Sequence, residues 1–136
     1  LYGNGPLFDE NIQTEKIKIS KFISAKRLAK RMGEVKIFCL PSHADHWPLV
    51  INEAALAGCG LLISNAVGNS SEFCRQQNSK TFKAKNVKML NSAMMGLIKK
   101  TELEPETVVN CSTSLGSKFD RSYFPSQFMK IIKEVR

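Results

Sequence analysis

Hydrophobic positions along this chain recur in two rhythms, and the alternation between them outlines the elements. SAKRLAKRMG, residues 24–33, sets Ala25, Leu28, Ala29 and Met32 at helical spacing, with Ser24 as a candidate cap and Gly33 as a stop. VKIFCLPS, residues 35–42, is a short apolar run rich in strand formers and closed by Pro41; it predicts a strand over 35–40 buried on both faces. PLVINEAALAG predicts a helix with Pro48 at its first position and Gly58 past its end. LLIS, 61–64, is a second buried strand, and AVGNSSEF a glycine-containing turn leading into a helix. TFKA, 81–84, reads as a weaker strand. NVKMLNSAMMGLIKK then reads as a helix with Val87, Leu90, Ala93, Met94, Leu97 and Ile98 on one stripe. Residues 104–117 are helical but less regular, and Pro125 starts a closing helix. Two further short strands are expected, at residues 1–2 and 17–19.

Strands and helices thus alternate through most of the chain. That order predicts an α/β domain, a Rossmann-like three-layer arrangement with helices covering both faces of a parallel sheet. In such sheets a ligand sits outside the carboxyl ends of the strands. Three segments are expected at that edge: GNGP, SHADHW and AVGNSSE.

A length of 136 residues fits one domain, 1–136, with no linker, repeat or low-complexity tract to divide it. No apolar run approaches the ~18 residues of a membrane span, and no signal-peptide pattern opens the chain. The start, LYGNGP without a methionine, is expected to be the cut edge of something longer. The four cysteines show no metal-binding spacing; Cys39 and Cys59 lie in apolar runs and are read as small buried hydrophobes in a cytoplasmic protein. The net charge of +8 admits nucleic acid, an anionic membrane surface or a phosphate-bearing ligand as partner. Basic residues do not alternate with aromatics on the strands, so no nucleic-acid partner is expected. The cations of residues 24–33 form either a solvated helix face or a contact for anionic lipid headgroups.

The region richest in candidate chemistry is DHWPLVINEAALAG, residues 45–58. From residue 46 to 71, Glu53 is the single charged side chain among 26 residues, in a chain that is 24% charged. About six would be expected there, so an ordinary surface is not indicated and Glu53 reads as a buried carboxylate. A buried carboxylate needs strong donors, and two readings stand: vicinal sugar hydroxyls, or neighbouring backbone and basic side chains. A helix start near Pro48 would supply unpaired N–H groups for a phosphate. His43 and His46 bracket Asp45, but two histidines and one acid on a short loop do not make a metal site, and none is expected. Gly68, with Asn69, either brings backbone close to a ligand or forms a plain turn.

The run FCLPSHADHWPLVINEAALAGCGLLISNAVGNSSEF resembles the carboxyl-terminal half of retaining glycosyltransferases of the two-Rossmann-domain (GT-B) type, family four. The shared pattern is Pro41-Ser42, an acid at Asp45, seven residues, Glu53-Ala54, Gly58, a hydrophobic strand at 61–64, and Gly68. LYGNGP resembles the family's Gly-Asp-Gly-Pro turn, with Asn4 in place of aspartate. The resemblance implies a donor-binding domain of GT-B fold lacking its first strand. Glu53 would hold the ribose of a nucleotide diphosphate sugar. Asp45, the catalytic-site acid, would bond the transferred sugar. The segment His46, Trp47, Leu49 and Val50 would present backbone N–H groups to the sugar and diphosphate, with Gly68 alongside. No cofactor beyond the donor substrate is implied. The acceptor, a glycan or a lipid-linked sugar, would be bound by an amino-terminal domain outside these residues, so the fragment is expected not to catalyse transfer alone. A cytoplasmic enzyme with peripheral contact at the inner face of the membrane is the expected setting. Two departures stand out: aspartate replaces the commoner glutamate at Asp45, and Trp47-Pro48 replaces an aromatic-glycine pair. The second removes one N–H donor.

Overall fold

The computed structural model describes Tyr2, Asp9 and residues 14–119. Eight elements follow in order: α1 (Ala25–Met32), β1 (Ile37–Leu40), α2 (Leu49–Leu56), β2 (Gly60–Ser64), α3 (Ser70–Phe73), β3 (Ser79–Phe82), α4 (Val87–Leu103) and α5 (Pro105–Ser117). The strands form a parallel sheet in the order β1-β2-β3, with Phe38 opposite Leu61 and Ile63 opposite Thr81.

Strand periodicity divides the core between the two faces of the sheet. Leu61 and Ile63, joined by Phe38 and Leu40, face a large cluster completed by Met32, Ile51, Ala54, Ala55, Cys59 and Phe73. Leu62, with Ile37 and Cys39, faces a smaller cluster made with Phe82 and Leu97. The first face is covered by α1 and α2, the second by α4. Helix α5 crosses the C-terminal end of α2, where a Cβ on Gly116 would lie 2.8 Å from the Leu56 amide nitrogen. Buried Ser112 then donates to the Cys59 carbonyl at 2.7 Å and accepts from the Asn78 side-chain amide at 3.0 Å, fastening α5 to the start of β2.

Helix α2 ends as its sequence predicts. Gly58 takes a left-handed φ of 78°. The amides of Gly58 and Cys59 then return to the carbonyls of Ala55 and Ala54 at 2.9 and 3.0 Å. This is the Schellman arrangement that glycine permits without strain.

Several boundaries differ from expectation. Residues 17–19 form no strand; Ser20 makes an isolated parallel bridge to Tyr2, and Ile17 is exposed. The third strand runs over Ser79–Phe82 instead of 81–84. Pairing with Leu61 and Leu62 of β2 recruits Ser79 and Lys80, whereas the Ala84 amide bonds the Asn65 side chain. All four residues of β1 are half-buried, where burial on both faces was expected, because β1 has a strand neighbour on one side only among the described residues. Cys39 is accordingly half-buried while Cys59 is fully buried. Val87 drops out of the expected apolar stripe of α4 and is exposed at the helix start. Pro48 sits one residue outside α2, at its N-cap. The GNGP turn and the helix expected at Pro125 lie outside the described residues.

Candidate functional site

β1 and β2 end side by side, and the segments that follow them are stitched together. Fully buried Ser64 donates its hydroxyl to the Ser42 carbonyl. The Asp45 amide donates to the Ala66 carbonyl at 3.2 Å, and the Gly68 amide to the Asp45 carbonyl at 2.9 Å. Asp45 and Val67 therefore pair as in a parallel sheet, for one residue. Farther on, the side-chain amide of Asn69, itself buried, donates to the Pro48 carbonyl at 3.3 Å. Two strand-to-helix connections thus become one double-layered rim.

Gly68 decides how close the layers approach. A Cβ there would stand 2.5 Å from the His46 carbonyl oxygen, well inside contact distance. Gly68 brings its backbone against the Asp45–His46 loop while remaining exposed.

On this rim Asp45 is half-buried, while His43, His46 and Trp47 are exposed. The chain then enters α2 through buried Pro48, whose φ of −68° suits the approach to a helix. Pro48 has no N–H to give. Among the described residues the amides of Leu49 and Val50 carry no hydrogen bond, and Ile51 makes a long one, 3.4 Å, back to the Pro48 carbonyl. The helix start therefore keeps two free donors at the carboxyl edge of the sheet, with the partial positive charge of the helix behind them.

Glu53 corrects the sequence expectation: it is exposed, not buried, and makes no ion pair or side-chain hydrogen bond among the described residues. The inner face of α2 is Ile51, Ala54 and Ala55, all fully buried. Its outer face carries Leu49, Glu53 and Leu56, at helical spacing, with the two leucines 71% and 45% exposed. The scarcity of charge around Glu53 thus reflects an apolar inner face plus two exposed leucines, not burial of the acid. Glu53 lies four residues beyond Leu49, about 6 Å along the helix from the free amides.

Ser64 was not foreseen as a site residue, and Asn69 was named only for its backbone beside Gly68, not for its side chain. Their one sequence signal is polarity inside an apolar stretch: a serine closing LLIS and an asparagine after Gly68. Among the described residues no three His, Cys, Asp or Glu side chains converge on a common point. Burial pushes the thiols of Cys39, Cys59 and Cys74 up from their ordinary value, so none is poised as a thiolate nucleophile.

The rim, helix start and sheet can be set beside known proteins. The profile of the family "Glycosyl transferases group 1" matches residues 8–110, most of the chain. Among solved structures, a sucrose-phosphate synthase from Thermosynechococcus elongatus superposes with a TM-score of 0.67 at 15% identity. That match covers 87% of this chain and 30% of the synthase chain, so this chain spans under a third of that structure. No curated protein matches. Order of elements, parallel sheet and covering helices are those of a GT-B glycosyltransferase domain, the fold expected from the sequence. The chain belongs to the group 1 glycosyltransferase family.

Proposed function

We propose that these residues form the donor-binding domain of a glycosyltransferase that moves a sugar from a nucleotide diphosphate sugar to a glycan or lipid-linked acceptor, with retention at the anomeric carbon. The observation that carries this reading is the start of α2. Two free amides, of Leu49 and Val50, stand between a clamped acid, Asp45, and an unpaired one, Glu53.

The roles follow from that order. The diphosphate would take the free amides and the positive end of the helix. Glu53, free of competing partners, would accept hydrogen bonds from the ribose hydroxyls without breaking any existing contact. Asp45, held by its own backbone amide and carbonyl, would bond the hydroxyls of the transferred sugar. His46 and Trp47, exposed beside it, and Gly68, which seats the loop, complete the proposed donor site. Catalysis in such a site rests on positioning and on stabilising the departing diphosphate by dipoles fixed beforehand. No cofactor beyond the donor is invoked. The acceptor would be held outside these residues, so the chain alone is proposed not to turn over. A cytoplasmic setting is part of the proposal, supported by four free thiols.

Backbone amide NMR titration with UDP, GDP and ADP tests the reading in wild type and Glu53→Gln. One nucleotide should shift resonances over residues 45–53, and Glu53→Gln should abolish the response. Equal binding by wild type and variant would remove Glu53 from the donor site.

A further inference from the structure

Asparagine is among the residues that most readily cap a helix, and Asn69 occupies the N-cap position of α3. Its side chain caps nothing there. It is 1% exposed and is directed instead at the Pro48 carbonyl before α2, to which Nδ2 donates at 3.3 Å. Its Oδ1 is buried and has no partner among the described residues. Turned over, the amide would set Oδ1 against the Pro48 oxygen, so the donor has to face the carbonyl. A buried asparagine that forgoes its local cap and leaves an oxygen unmatched adds little net stability, because the unmatched group offsets what the bond contributes. Its consequence is geometric.

That geometry concerns one peptide plane. The Pro48 carbonyl and the Leu49 N–H belong to the same planar trans unit and point in opposite directions. The proline ring holds φ at −68°, so ψ, at 118°, is the soft torsion left to orient the plane. The Ile51 amide reaches the carbonyl only at 3.4 Å, a loose hold. The bond from Asn69 supplies the second constraint. We infer that Asn69 is a positioning residue for the donor: by fixing the Pro48 carbonyl it aims the free N–H of Leu49 at the diphosphate, a role that rests on the reading of the α2 start as the diphosphate seat.

Pro48 gives this chain a particular need for such aim. It contributes no N–H, so the helix start has one donor fewer than another residue would give it, and the remaining donors carry more of the load. A hydrogen bond to a charged oxygen is roughly twice as strong as a neutral one, and it weakens steeply as the donor swings off line. Asn69 acts across 21 residues of sequence, from the turn after β2 to the helix after β1. The close approach of Gly68 to His46 brings the two connections within its reach. Asn69 itself, being buried, touches no reacting atom.

NMR of the 136-residue chain, without nucleotide and with UDP, GDP or ADP, tests this role. Asn69→Leu keeps the branched outline of the side chain and removes both the donor and the unmatched oxygen. Its urea midpoint should stay close to that of wild type, while the Pro48 carbonyl carbon resonance moves. The order parameter of the Leu49 amide should fall below the rigid value of about 0.85. Affinity for the responding nucleotide should drop about tenfold, as a charged hydrogen bond goes out of line. Asn69→Ala, which leaves space instead of filling it, should show the same losses of order and affinity. Asn65→Ala removes another contact of the same turn, to the Ala84 amide, and should bind as wild type. Unchanged affinity and Leu49 order in Asn69→Leu overturn the proposal, as does an equal loss in Asn65→Ala. A midpoint that collapses in both Asn69 variants assigns the residue to structure alone and overturns it too. No response of wild type to any of the three nucleotides overturns the donor reading and the role built on it, whereas binding that survives Asn69→Leu removes only the role of Asn69.

Discussion

The loop of residues 42–48 and the outer face of α2 meet at Pro48, yet they hold their acids in different ways. In the loop, the backbone of Asp45 is bonded on both sides, to Ala66 and Gly68, and the next residue is pressed against Gly68. On α2, Glu53 stands on a helix whose other side is locked in the core, and its carboxylate touches no partner among the described residues. One acid is fixed by what surrounds its backbone. The other is fixed only by the helix that carries it. Precision at the first should therefore depend on neighbours distant in sequence, and at the second on α2 alone.

Gly68→Ala should break that contrast most severely. The added carbon meets a backbone oxygen that has no flexible side chain to yield, so the layers must part. We expect a loss of about 1–3 kcal/mol in urea unfolding, as for overpacked positions, together with loss of nucleotide-induced shifts at residue 45. Ser64→Ala should cost less, about 1–1.5 kcal/mol, by removing a buried hydrogen bond to the Ser42 carbonyl. Amide exchange should then quicken at Asp45 and Gly68 while α2 stays protected. Glu53→Gln should cost least, within the about 0.5 kcal/mol typical of surface substitutions, because no folded-state contact is lost. An unfolding midpoint that dropped by several times that amount would show a structural partner for Glu53 and remove its independence from the loop.

Much of the architecture was readable because it rests on local periodicity. The positions of α1, α2 and α4 follow from apolar residues recurring at helical spacing, and the end of α2 from Gly58. β2 was readable because its run is apolar throughout and buried throughout. β3 was misplaced by two residues for the converse reason: SKTF has little hydrophobic signal of its own, and its register comes from β2. Residues 17–19 have strand-like composition but form no strand; the nearest pairing is the isolated bridge of Ser20 to Tyr2.

The candidate site divides along the same line. Asp45, Glu53 and the helix start at Pro48 were identifiable because their types and spacing lie in one short segment. The amino-acid order by itself determined which chemical groups are available and which elements carry them, since helix periods, caps and breakers act over a few residues. Tertiary structure alone decided their environment. It made Glu53 exposed despite its apolar neighbours, and it joined the loop after β1 to the turn after β2 through Ser64, Gly68 and Asn69. Those contacts span some 21 to 23 residues of sequence, a separation over which no local pattern operates. They exist because adjacent parallel strands end at the same edge, where each unpaired backbone group must find a partner in the neighbouring connection.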